Sequence, residues 1–140
     1  MSFMKSNNIL SLAPVATGIL FFSCILPGAT SQASDLEREQ RLADEIVEAI
    51  LDGEPVTLQA DDHDFLGIYT PAEADPELGA AIILHGRGMH PDWAQVANPL
   101  RVGLPVRGWS TLSIQMPVLD KEAKFYDYET VFPEAIPRIE

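Results

Sequence analysis

Apolar positions along the chain follow two periods in succession, and the switch between them outlines the fold. From Leu36 onward, apolar residues recur at Leu42, Ala43, Ile46, Val47, Ile50 and Leu51, with acidic residues on the opposite side. That spacing predicts an amphipathic helix of about four turns within residues 34–54. Ser34-Asp35-Leu36-Glu37 supplies a capping-box pattern at its start, and Gly53 a stop signal at its end. The period then shortens to two. Val56–Ala60 alternates, Phe65–Tyr69 answers it across the turn cluster Asp61-Asp62-His63-Asp64, and together they read as an antiparallel hairpin. After an acidic loop from Thr70 to Glu77, Ala80–Leu84 is continuously apolar, as in a parallel strand buried on both faces. It runs into His85-Gly86-Arg87-Gly88, where two glycines are expected to adopt backbone angles that side chains forbid.

Helical spacing returns at Trp93, Val96, Ala97, Leu100 and Leu104, with a start expected at Pro91 or Asp92 and a kink or restart near Pro99. Gly108 ends it, and Trp109–Met116 alternates as the next strand, closed by Pro117. Strand, helix and strand in this order predict a right-handed βαβ unit with parallel strands. A polar loop spans 121–127. Tyr128, Val131, Phe132, Ala135, Ile136 and Ile139 then resume helical spacing, interrupted by Pro133 and Pro137. The fold class expected is α/β: an amphipathic helix, an antiparallel hairpin and a βαβ unit.

Composition changes this picture at the N-terminus. Lys5, the apolar run Ile9–Leu26 and the small residues of Ser31-Gln32-Ala33 form a signal-peptide pattern over 1–33, with cleavage expected after Ala33. A periplasmic or secreted location follows, with no stable membrane anchor once the leader is removed. Cleavage removes the single cysteine, Cys24, so the exported chain would carry no disulfide. It also removes one lysine and no acidic residue, moving the net charge from −12 to −13. So acidic a chain is not expected to bind nucleic acid or anionic membrane.

The buried strand ending in His-Gly-x-Gly, the helix beyond it and the strand Gly108-Trp109-Ser110-Thr111-Leu112-Ser113 together resemble the first half of an α/β-hydrolase domain. More narrowly, Leu36 to the C-terminus resembles a bacterial exported family of unknown function assigned to that superfamily. Its members share a Leu-Glu-Arg-Glu helix, a Leu-His-Gly turn and a Gly-Trp-x-Thr-Leu-Ser strand. The resemblance implies that residues 55–140 are the N-terminal part of such a domain, cut short. It also implies that the backbone N–H of Arg87 is the first oxyanion-hole donor, with Gly88 and Met89 as further candidates. Gly86 and Gly88 are the turn glycines and His85 a structural strand-end residue. A tight turn without chemistry is the competing reading of the same residues.

No Gly-x-Ser-x-Gly occurs, so no catalytic nucleophile is assigned in this chain, and His63, His85 and His90 do not take the catalytic-histidine role. Gly86-Arg87-Gly88 fails as a dinucleotide fingerprint because Pro91 stands where the third glycine belongs. No cofactor is expected. Asp61, Asp62, His63 and Asp64 read as a solvated turn and not a metal site. The leading expectation is an exported hydrolase-like protein acting on an unknown small molecule, inactive as these residues alone. The alternatives are a complete non-catalytic periplasmic binding module and, less favoured, a metal-assisted enzyme using His85, His90 and Asp92. In the hydrolase strand order, one edge of the Ala80–Leu84 strand lies open in these residues, and self-association through that edge is expected.

Overall fold

The computed structural model describes residues 33–140. The predicted leader therefore lies outside the described residues, apart from Ala33. Helix α1 spans Leu36–Ala49. Its cap is Asp35 and not Ser34: the Asp35 carboxylate accepts the backbone N–H of Arg38 at 3.0 Å. Asp35 is the better N-cap because its charge also meets the positive end of the helix dipole.

Strands β1 (Glu54–Ala60) and β2 (His63–Thr70) form the expected hairpin, joined by only two residues. Asp61, at φ 51°, and Asp62 make the turn; His63 and Asp64 belong to β2. Strands β3 (Gly79–Leu84) and β4 (Trp109–Ile114) run parallel, and the sheet order is β1-β2-β4-β3. Between them, residues 91–96 are turns, and helix α2 starts only at Ala97 and ends at Gly103. Pro99 therefore sits in the first turn, where its missing N–H has no helical acceptor to lose. This later start rotates the helix away from the expected face. It buries Ala97 and Arg101 and exposes Val96 and Leu100. A 3₁₀ turn, Pro105–Arg107, and Gly108 at φ 88° lead into β4. The C-terminal helical pattern is broken at its prolines into a 3₁₀ segment (Phe125–Val131), helix α3 (Phe132–Ala135) and a last 3₁₀ turn (Ile136–Arg138).

One face of the sheet is covered. Residues paired across strands share a face, which places Ile68, Thr111, Ser113 and Ile83 together. Ile46 of α1 packs on Leu66 and Ile68. Segment 91–103 covers the rest, with the buried hydroxyls of Ser113 and Thr111 donating to the carbonyls of Pro91 and Arg101. The opposite face is open at β3, where Ile82 is 54% and Leu84 45% exposed. The expectation that β3 is buried on both faces is thus corrected. An edge strand whose covering layer reaches only one side keeps half its apolar residues in water.

Candidate functional site

Because β3 and β4 are parallel, their carboxyl ends lie side by side, and there the structure opens into a groove of about 460 Å³. Open α/β sheets bind ligands at such ends. His85–Gly88, leaving β3, form one wall, and Met116-Pro117-Val118, leaving β4, a second; Phe125, Tyr128, Val131 and Phe132 line the remainder. The lining is mainly apolar.

His85 ties the first two walls together. Its Nε2 accepts the backbone N–H of Met116 at 3.0 Å, and its Nδ1 lies 3.1 Å from the Gly86 carbonyl. An accepting Nε2 leaves the proton on Nδ1, so the neutral ring donates to Gly86. Burial holds the His85 pKa below its usual 6.5, against the raising effect of the Gly86 bond. The ring thus braces the end of β3 against the chain leaving β4.

Beyond it, the Met89 N–H donates to the Gly86 carbonyl at 3.1 Å and closes a four-residue turn. Gly88 stands at its third position with φ 72°, as a type II turn requires. Gly86 has no positive φ, and a Cβ there would meet only the Met89 sulfur at 3.7 Å. One glycine, not two, is therefore demanded by backbone angle. Met89 spends its N–H inside the turn, which leaves Arg87 and Gly88 as the candidates whose amides have no protein acceptor among the described residues. The Arg87 guanidinium lies 6.0 Å from the centre of the Phe125 ring.

His85, His90 and Asp92 do not assemble as a metal site. Both nitrogens of His85 are engaged as above. His90 Nδ1 accepts the Asp92 N–H at 3.2 Å, its ring packs edge-on against Trp93, and burial lowers its pKa against the raising effect of Asp92 and Glu45. Asp92 Oδ1 takes Nε and Nη2 of the buried Arg101 at 2.8 and 2.6 Å, and Asn98 at 2.8 Å. Among the described residues, no group of three or more His, Cys, Asp or Glu side chains is placed to hold a metal ion.

A second polar assembly is not foreseen from the sequence pattern. Glu39, on the buried face of α1, accepts Nη1 and Nη2 of Arg138 at 2.7 and 3.2 Å. It also accepts His63 Nε2 at 3.0 Å. Gln115 Nε2 donates to the Glu39 carbonyl at 2.9 Å, and Arg138 Nη1 to that of Gln115 at 2.9 Å. A signal was present all the same. Glu39 interrupts the stripe running from Leu36 to Ala43 and Ile46, so a carboxylate had to enter the covered layer and find a cation there.

Residues 26–135 match the family described as a protein of unknown function, DUF3530. No curated protein and no solved structure matches the chain.

Proposed function

The chain belongs to the DUF3530 family, and from that premise we propose that it forms the oxyanion-binding half of an exported α/β-hydrolase-like protein. On this reading the leader directs export and is cleaved after Ala33. The observation that carries the reading is the turn after β3: two backbone N–H groups, of Arg87 and Gly88, without protein acceptors among the described residues, beside an apolar groove at the ends of parallel strands. Aligned amides of this kind stabilise the charge that develops on an attacked carbonyl oxygen. The groove beside them would seat an apolar acyl group. His85 acts as the brace that holds the turn against Met116, not as a base, since both of its nitrogens are occupied.

These residues supply no Gly-x-Ser-x-Gly, so the 140-residue chain alone is expected to hydrolyse no activated acyl ester above background. Serine-dependent turnover by that chain would overturn this. The positive test uses a longer chain that carries the nucleophile as well. Arg87 occupies the second position of the turn, where proline fits a type II geometry. Arg87→Pro therefore deletes the N–H without breaking the turn, and kcat is expected to fall roughly 10²–10³-fold. Arg87→Ala keeps the amide and should leave kcat close to wild type. Equal rates for the two variants would remove the oxyanion role. A second reading, a periplasmic binding module, rests on the groove itself, which can hold a ligand with no chemistry; it predicts ligand affinity without turnover.

A further inference from the structure

Residues 33–38 reach two of the segments that wall the groove. The Asp35 N–H donates to the Val118 carbonyl at 2.7 Å, and the Arg38 guanidinium donates to the Leu119 carbonyl. Toward α3, the Ala33 N–H donates to Oε1 of Glu134 at 2.5 Å, across 101 residues of sequence. Val118 and Ala135, the neighbour of Glu134, both line the groove. The Glu134 carboxylate is only half used. It has no cationic partner among the described residues, and its Oε2 is buried without a hydrogen bond. A single neutral N–H on one oxygen is a weak partner for a carboxylate, which pairs best with a charged donor.

Cleavage after Ala33 would change what stands opposite that carboxylate. The Ser34 nitrogen, whose N–H has no acceptor among the described residues, would become an α-ammonium with three donors. It lies one backbone step, about 3–4 Å, from the Ala33 nitrogen that already touches Oε1, and rotation of the Glu134 side chain spans that step. The new charge also needs an anion. It arises directly ahead of the Asp35 cap, at the positive end of the α1 dipole, where a cation is disfavoured. The Asp35 carboxylate is committed to the Arg38 N–H at 3.0 Å, and Glu37 lies 3.9 Å from Arg41. We propose that Glu134 is the receptor for the Ser34 α-ammonium released by leader cleavage, a pairing that rests on cleavage at the site proposed above. Processing then exchanges a neutral hydrogen bond for an ion pair, ties the start of α1 to α3, and stiffens the groove wall formed by Val131, Phe132 and Ala135.

The test uses the processed protein, purified after export of the full chain. N-terminal sequencing comes first: a start at any residue other than Ser34 overturns the cleavage site and the pairing together. With Ser34 confirmed, the α-amine is acetylated at about pH 6.5, where lysines, with pKa near about 10.4, stay protonated and unreactive. Glu134→Gln keeps an acceptor for a neutral N–H and loses the charge. It is expected to lower the melting temperature by about 2–5 °C more in the free-amine protein than in the acetylated one. Equal shifts in the two forms would overturn the pairing and leave the cleavage site standing. A second measurement needs no variant. Carbodiimide treatment of the processed wild type is expected to join the Ser34 amine to the Glu134 carboxylate as an amide, with loss of water, detected as a linked peptide pair by mass spectrometry. An amine that couples only to Asp35 or Glu37 would overturn the pairing as well. Hydrolysis enters neither readout, so a failure here is distinct from a failure of the oxyanion role.

Discussion

His85 and His90 both sit below their usual pKa because burial disfavours the imidazolium. A lowered folded pKa means that the neutral ring stabilises the fold. That contribution is complete above the unfolded value of about 6.5 and is lost as pH falls through the folded value. Protonating His85 also removes the acceptor for the Met116 N–H. The melting temperature is therefore expected to fall as pH drops below about 6.5. His85→Leu should unfold more easily at pH 7.5, by about 1–3 kcal/mol for the orphaned amide, and show a shallower pH slope. A parallel pH profile for the variant would refute the assignment. Glu39 and Arg138, 3% and 7% exposed, form the other residue-scale determinant. Removing one partner, as in Glu39→Ala, should cost about 3–5 kcal/mol because a buried guanidinium is left uncompensated. Replacing both by methionine should cost far less. Urea unfolding of the single and double variants measures the difference, and additive losses would contradict it.

Among the elements, the turn after β3 separates two glycines that look equivalent in sequence. Gly88 has φ 72°, and a Cβ added there would have nothing within 4 Å, so Gly88→Ala would meet backbone strain and no clash. A cost of about 1–2 kcal/mol is expected. Gly86→Ala should be neutral or slightly stabilising, because its φ is not positive, a Cβ there has room, and alanine has less freedom to lose. Thermal unfolding of the two variants distinguishes them; equal losses would mean that Gly86 carries a constraint the turn geometry does not reveal. The helices make a related point. The apolar spacing around α2 does mark a helix, but the helix starts at Ala97 and not at Pro91 or Asp92, and the buried face moves with the start. Local period identifies a helix; the first hydrogen-bonded turn decides which side faces in.

For the molecule as a whole, the free edge of β3 is the largest consequence of the strand order. Its outer N–H and C=O groups have no neighbouring strand among the described residues, beside Ile82 and Leu84, which are half exposed. Such an edge templates pairing with another chain. The chain is expected to self-associate in sedimentation velocity in spite of its net charge of −12. Ile82→Lys should shift it toward monomer. Ile83, only 7% exposed, offers a contrast, since a lysine there would disturb the covered face and destabilise the fold. A wild-type chain that stays monomeric at high concentration would show that the edge is protected by other means.

The order and type of the elements were legible in sequence because hydrophobic period is a local property: α1, the hairpin, β3, and β4 following a helix all follow from spacing and turn residues. The strand–helix–strand order also implied the parallel pairing of β3 with β4, since the crossover rule needs only that order. The His85–Gly88 turn was visible as a motif, but the state of its amides was not. Whether an N–H is free depends on which carbonyl closes the turn, and here Met89 bonds back to Gly86. The cap at Asp35 in place of Ser34 was a choice between adjacent residues that spacing does not resolve. Tertiary structure alone decided which face of β3 is covered, because coverage depends on where α1 and segment 91–103 dock. It alone joined Glu39 to Arg138 across 99 residues of sequence. An ion pair of that separation leaves no local pattern except a charge in an apolar stripe, and the stripe says that a partner is needed without saying where along the chain it lies.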